Sequence, residues 1–356
     1  MKKAIVTGSL GLVGSYVSQI LSEQSFYVIG IDCDVRAQLF PDVSFLTHQQ
    51  INQLNQLSGV DEHHSIDIRD QSSIDTLISQ KISDGSLEII IHCAAQPSHD
   101  WASSSPLTDL NINLLGTVYI LETLRKFNYS GLFVHLSTNK VYGDIPNSLP
   151  LDELDSRYDL NNTHPFYMGI DTSMSIDNST HSLFGCSKAS ADLYVQEYSR
   201  YFGLKALILR GGCLTGSRHR GAMLHGFLSY LVKTAINKDE YNILGYKGKQ
   251  VRDNLHAKDI GHLVTSFFLN KANIPSDKYP IIANLGGGRD NSVSILETID
   301  ILSSSFGLKF PYKFVDEPRI GDHQWYISDF SNLSQLFGWK PSLTIHGILE
   351  DIINNT

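Results

Sequence analysis

The sequence is short of several things. It has four cysteines in 356 residues (Cys33, Cys93, Cys186 and Cys213), and no two form a Cys-x-x-Cys pair. That spacing excludes a zinc ribbon and a disulfide framework, and it suits a reducing compartment, so a cytoplasmic protein is expected. No run of about 18 apolar residues occurs, which excludes a membrane-spanning helix. The N-terminus enters a strand-like run at once, with no apolar stretch leading to a cleavage site, so no signal peptide is read there. Positive charge is in deficit: 28 Lys and Arg against 37 Asp and Glu give a net charge of −9. That balance makes nucleic acid and anionic membranes poor general partners, while leaving room for an anionic small ligand held by local cations. The 14 histidines lack metal-ligand spacing, and no metal is expected.

What is present is a rhythm. "AIVTG" (4–8), "YVIGID" (27–32), "HSIDI" (64–68), "LEIIIHCA" (87–94), "LFVHLS" (132–137) and "ALILRG" (206–211) read as strands. Amphipathic helices alternate with them. In the first, Val13, Tyr16, Val17, Ile20 and Leu21 share one face. Strands that are continuous apolar runs are buried on both faces, as in a parallel sheet wound by helices. The expectation is an α/β fold with a Rossmann-type, doubly wound parallel sheet over residues 1–215. A smaller C-terminal α/β lobe over 216–356 would cap it and hold substrate, with some chain crossing between them. Residues 143–183 are polar and weakly periodic, and a loop that long in a compact protein is usually functional.

"TGSLGLVG" sits between the first strand and the first helix, with Gly8, Gly11 and Gly14 in a G-x-x-G-x-x-G pattern. Gly8 permits a tight turn, Gly11 lets a pyrophosphate approach the backbone, and Gly14 lets the helix pack on the strand. Leu10, Leu12 and Val13 complete the turn. The helix then presents free N–H groups to the phosphates. Asp32 ends the second strand, where a carboxylate binds ribose hydroxyls and repels a 2′-phosphate, so NAD is expected over NADP. Strand ends are where this fold binds ligands. Asp67 and Ile68 after the third strand are candidates to frame adenine. Ala94, Ala95 and Gln96 after the fourth are candidates to lie against the cofactor.

Further motifs follow in order: "HCAAQ", "NINLLGTVYILE", "STNKVYGD", "GCSKASAD", "GKQVRDNLHAKD" and "NLGGG". On these the sequence resembles the extended short-chain dehydrogenase/reductase family, and within it the NAD-dependent nucleotide-sugar epimerases and dehydratases. The likeness covers nearly the whole chain. "HSLFGCSK" and "GKQVRD" carry a closer likeness to enzymes that act on CDP-linked 3,6-dideoxyhexoses at carbon 2. The resemblance implies bound NAD, a nucleotide-sugar substrate with a CDP-sugar favoured, and a homo-oligomer formed through helices near 106–127 and 187–203. It makes Thr138 the catalytic Ser/Thr and Lys188 the catalytic lysine, which also holds the nicotinamide ribose. Asn113 would support Lys188 through a water, and Thr138 and Asn139 would touch the sugar. Arg252 matches the family's phosphate-binding arginine, with Arg218 a second candidate; Arg220 and Lys249 read equally well as surface cations. Asp171, Ser173 and His181 fit loop hydrogen bonds better than sugar contacts.

One position departs from the family. Four residues before the lysine the family places a tyrosine, whose phenol sits near the ammonium on the same helical face and moves a proton. Here that residue is Phe184. Phenylalanine keeps the ring and has no proton to exchange. Two readings stand: a Tyr→Phe variant made to trap a bound sugar, and a natural protein that binds ligand and turns over poorly. The intact surroundings favour the first. A second departure selects the reaction. Related 4,6-dehydratases carry two acidic residues after the threonine, and here those places hold Asn139 and Lys140. Elimination of water lacks its agents, and epimerisation is expected.

Overall fold

Runs without a polar face become the strands of a seven-stranded sheet. In chain order these are β1 (Lys3–Thr7), β2 (Tyr27–Ile31), β3 (Glu62–His64), β4 (Leu87–His92), β5 (Leu132–Thr138), β6 (Lys205–Gly211) and β7 (Ile281–Leu285). Their order across the sheet is β7-β6-β5-β4-β1-β2-β3, and every neighbouring pair is parallel. The computed structural model describes residues 1–35, 45–219, 226–317 and 321–356.

Successive residues of each strand enter opposite layers. Ala4, Val6, Ile89 and Ile91 belong to one core, Ile5 and Ile90 to the other. The first layer holds helix α1 (Leu12–Glu23), on which α4 (Ala257–Asn270) packs. Tyr16, Val17, Ile20 and Leu21 of α1 are buried, and Val13 is half-buried at the margin. The second layer holds α2 (Gly116–Lys126) and α3 (Leu183–Phe202), whose Ile120, Leu121, Leu124 and Val195 share a core with Phe133. Helix α3 starts where Ser182 accepts a hydrogen bond from the Gly185 N–H, and it stops at Gly203 in the left-handed region. That start fixes Phe184 and Lys188 in the first two turns.

The structure differs from the sequence expectation in two places. The third strand is Glu62–His64, earlier and shorter than expected, because it is an edge strand paired only to Ile29–Ile31 of β2. Ile66, Asp67 and Ile68 lie beyond it and line a cleft. The segment 143–183 contains an antiparallel hairpin, Leu151–Glu153 with Tyr158–Leu160. Asp159 of that hairpin accepts from Trp325 Nε1 at 3.2 Å and pairs with Arg289 at 2.6 Å, which ties it to the C-terminal lobe. Chain crossing of the 215/216 boundary, included in the expectation, occurs at a strand. Ile281–Leu285 pairs with β6, so the strand ending in "LGGG" completes the large sheet.

The C-terminal lobe has its own four-stranded sheet: Cys213–Thr215, Val251–His256, Ser292–Ser294 and Trp325–Tyr326. Helices Phe227–Asn237, Ile295–Phe306 and Ile345–Asn355 close a separate core around Leu231, Leu302 and Ile348. Among the described residues, no helix is long and apolar enough to cross a membrane.

Candidate active site

Strand order reverses between β1 and β4, and the carboxyl ends of the strands open into a cavity of about 610 Å³. Its first wall is backbone. Gly8 has φ +70°, and a Cβ on Gly14 would lie 2.1 Å from the Gly8 carbonyl oxygen. No larger residue fits at Gly14 while α1 keeps its place on the turn. Gly11 is the N-cap of α1 and offers no capping side chain, and the first turn holds no acid. The leading N–H groups of the helix are therefore not engaged by a cap, and they suit a diphosphate. Asp32 accepts from the Leu10 N–H at 3.0 Å and from the Asp34 N–H at 2.9 Å, which joins the end of β2 to the turn. Leu10, Leu12, Val13 and Asp32 all line the cavity.

Asp67 and Ile68 line the adjoining wall. Burial works against the Asp67 carboxylate, but hydrogen bonds from Arg69 outweigh it and hold the carboxyl below its ordinary range. Ala94 and Ala95 line the cavity after β4, and their small side chains leave the backbone accessible there. Gln96 and Asn113 are not on the cavity wall. The Gln96 carboxamide donates inward to Ser98 O and Asp109 Oδ1, each at 2.8 Å. Asn113 lies on a π-helical turn and accepts from the Gln96 N–H at 2.9 Å while donating to Ser187 Oγ at 3.2 Å. It braces the β4 loop against α3, beside Lys188.

Where the two lobes meet, Thr138, Phe184 and Lys188 face one space. Lys188 is 4% exposed and donates from Nζ to the Leu136 carbonyl at 2.7 Å. Burial pulls its ammonium down to about 8, partly opposed by Asp192, Cys93 and Asp109. The Phe184 ring meets the His99 imidazole edge-on, with ring centroids 4.9 Å apart. Beneath this group lies a buried polar network. Ser137 Oγ donates to Asp192 at 2.6 Å, and Arg210 grips Asp192 with two bonds of 3.0 and 3.1 Å. Arg210 also donates to the Tyr142 hydroxyl at 3.1 Å, which donates to Asn284 at 2.7 Å. The network ties together β5, α3, β6 and β7.

The second lobe supplies side chains. Along Val251–His256, Arg252 and Asn254 point into the cavity, with Gln250 just before them, as period-two alternation requires. Arg252 pairs with Asp322. Burial would raise the Asp322 carboxyl, but the charges of Arg252 and Lys140 outweigh it and hold it at about 2. Asn139 is buried in the same wall, and Lys140 Nζ donates to the Gly321 carbonyl at 2.8 Å. Arg218 also lines the cavity, yet its guanidinium is spent on α1. It donates to Ser15 O at 3.1 Å and Gln19 Oε1 at 2.6 Å and stacks over Tyr16.

Lys249 is tied to Glu153 and Leu154, and Arg220 lies outside the described residues. Asp171 and Ser173 bond each other, and His181 bonds the Ile176 and Lys140 carbonyls. All four cysteines are free thiols. Sequence reasoning missed His99, Asp322 and Gln250. Gln250 was accessible from the strand alternation; His99 and Asp322 carry no local signal.

A glycine-turn helix aimed into a cleft, with a lysine and a threonine at its far side, defines a dinucleotide-dependent enzyme of the doubly wound class. The chain belongs to the NAD dependent epimerase/dehydratase family, whose model matches residues 4–286. NAD is accordingly its cofactor, and the glycine cradle fits it. The chain is 29% identical to CDP-paratose 2-epimerase of Salmonella typhi, covering 96% of this chain and 95% of that one. It is 28% identical to a putative UDP-glucose 4-epimerase of Methanocaldococcus jannaschii, covering 98% and 97%. Among solved structures it is similar to a UDP-glucuronic acid 4-epimerase of Bacillus cereus. The two share a TM-score of 0.74 at 22% identity, with 99% and 98% covered. That structure is of a Tyr-to-Phe variant in complex with a fluorinated UDP-sugar and NAD.

Proposed function

We propose that this protein is a nucleotide-sugar epimerase that inverts carbon 2 of a CDP-linked deoxyhexose. It resembles CDP-tyvelose 2-epimerase, also called CDP-paratose 2-epimerase. The observation that carries the choice of reaction is the pair Asn139 and Lys140 in the cleft wall beside Thr138. Neither carries a carboxyl, so the acidic pair that performs elimination in related dehydratases is missing, whereas epimerisation expels no hydroxyl. When bound, NAD supplies a reversible hydride acceptor. Gly8, Gly11 and Gly14 would hold its diphosphate, Asp32 its ribose, and Lys188 the ribose next to the reacting ring. Thr138 would hydrogen-bond the sugar oxygen. Arg252 would bind the nucleotide diphosphate, a task for which a planar guanidinium is suited.

A dimer or tetramer belongs to this reading, formed through α2 and α3. Leu193, Tyr194 and Tyr201 of α3 are exposed there, the last at 78%.

The test is product analysis by proton NMR after incubation with CDP-, UDP-, GDP- and dTDP-sugars. Inversion of CDP-paratose at carbon 2 is expected. Inversion of a UDP-hexose at carbon 4 would replace this reading with that of a UDP-hexose 4-epimerase, which the 28% identical relative favours. No reaction, even after Phe184→Tyr, would leave a nucleotide-sugar binding protein. Phe184 closes the tyrosine route of proton transfer, and Phe184→Tyr reopens it. The gain approaches roughly 10²–10⁴-fold if nothing else in the cleft moves that proton. It is much smaller where another group already does.

A further inference from the structure

We propose that His99 exchanges the proton with the sugar in this chain, the task a phenol at position 184 would perform. The proposal rests on the epimerase reading above and names the group that completes it. His99 is the first residue of the short helix His99–Ser104, reached through the loop after β4. Its imidazole stands edge-on to the Phe184 ring, with centroids 4.9 Å apart and planes at 61°. It lines the same cavity as Thr138, Phe184 and Lys188 and is partly buried; Nδ1 is enclosed, so Nε2 is the nitrogen we assign to the exchange.

The ring is held in place. Gly321 has φ +74°, and a Cβ there would lie 3.1 Å from both Nδ1 and Cε1 of His99. A glycine lets this backbone lie against the imidazole, and Lys140 anchors the same residue through its carbonyl. The imidazole is thus pinned between Phe184 and Gly321. Phe184 supplies the apolar ring that a tyrosine would, and His99 supplies a proton beside it.

Among the described residues, charged and titratable side chains on the elements beside His99 include Lys140 and Asp322 on the Gly321 side, Asp100 on its own helix and Lys188 one turn beyond Phe184. Lys140 is committed to Gly321, Asp322 to Arg252 and Lys188 to Leu136. An imidazole is the side chain that ordinarily exchanges its proton near neutral pH. In the oxidation half, the sugar O–H bond breaks and its proton passes to the imidazole, while the carbon's hydrogen leaves as hydride to NAD and the C=O bond forms. In the return half, hydride comes back to the opposite face and the imidazolium returns the proton to oxygen.

The experiment compares the unsubstituted chain, Phe184→Tyr, His99→Gln, His99→Phe and the His99→Gln/Phe184→Tyr pair, with NAD and CDP-paratose. It measures kcat across pH, the Kd of CDP, and imidazole NMR signals in the presence of CDP and of CDP-paratose. The expected result is a fall in kcat of roughly 100-fold or more in both single His99 variants. CDP affinity stays within about threefold, the limb of the pH profile near neutrality disappears, and the pair recovers at least about tenfold over His99→Gln. His99→Phe keeps an aromatic ring against Phe184, so a loss there separates proton transfer from packing. The His99 signals also differ between CDP and CDP-paratose.

A kcat within about threefold of the unsubstituted chain, with an unchanged pH profile, overturns the proposal. So do identical His99 signals with the two ligands. Turnover by Phe184→Tyr without turnover by the unsubstituted chain removes His99 and leaves the epimerase reading. Silence in both removes both.

Discussion

The two halves of the cleft are built from different materials. The cofactor half is mostly backbone: a left-handed glycine, a second glycine with no room for a Cβ, and an uncapped helix start, all within residues 8–14. The facing half, where we propose substrate binds, is mostly side chains from distant parts of the chain: Thr138, Phe184, Arg252 and Asp322, with Lys188 at the border. A backbone site depends on spacing, which a sequence displays directly. A side-chain site depends on which strand ends meet, and it tolerates exchange of one group for another. That difference explains how a chain can keep the glycine turn intact and still carry phenylalanine where the family has tyrosine.

Substitutions can break this comparison, beginning with the polar network buried beneath the cleft. Asp192→Ala strands the Arg210 guanidinium in the interior, where it is 4% exposed. The loss should be about 3–5 kcal/mol in urea denaturation, with both ligands affected together. A loss below about 1 kcal/mol would mean the network is not what ties β5, α3, β6 and β7 together.

Gly14→Ala comes next. The added carbon would sit 2.1 Å from Gly8 O, so α1 must leave the turn. NAD affinity should fall on the order of 100-fold, equal to about 3 kcal/mol, in a fluorescence titration. CDP affinity should move far less.

Arg252→Met reverses the pattern. CDP binding should weaken by roughly 10–100-fold in calorimetry, as expected for charge-assisted hydrogen bonds, with NAD affinity unchanged. An equal loss for both ligands would erase the distinction between the halves.

The smallest effect is read against pH. The Asp322 carboxyl sits at about 2 in the folded chain against 3.8 as its ordinary value. A folded value below the unfolded one means that the ionised form stabilises the native state. That stability is fully present above about pH 4 and is lost as pH falls toward 2. It amounts to about 2 kcal/mol. Urea midpoints of the unsubstituted chain and Asp322→Asn should therefore converge over that window. Parallel curves would show that Arg252 and Lys140 do not hold this carboxylate.

Much of the fold was legible because buried parallel strands carry no polar face, so "LEIIIHCA" announces itself. The edge strand at Glu62–His64 was misplaced because an edge pairs on one side only and need not be apolar. Chain crossing between the lobes was expected, but that Ile281–Leu285 makes it was not legible, since a strand's own residues do not say which sheet it joins. In the site, Asp32 and the glycines follow from spacing. Gln96 and Asn113 do not: one follows a strand end and the other sits on a helical turn, and only the surrounding bonds to Asp109 and Ser187 turn them away from the cavity. Asp322 pairs with a residue 70 positions away, and His99 gains meaning only from its contact with Phe184.

The most direct measurement uses CDP-paratose carrying deuterium at carbon 2, with NAD in ordinary water and the product followed by NMR. Hydride removal and return within one closed cleft predicts an inverted carbon 2 that still carries its deuterium. Replacement of the label by solvent hydrogen, or an unchanged configuration after prolonged incubation, would contradict the account.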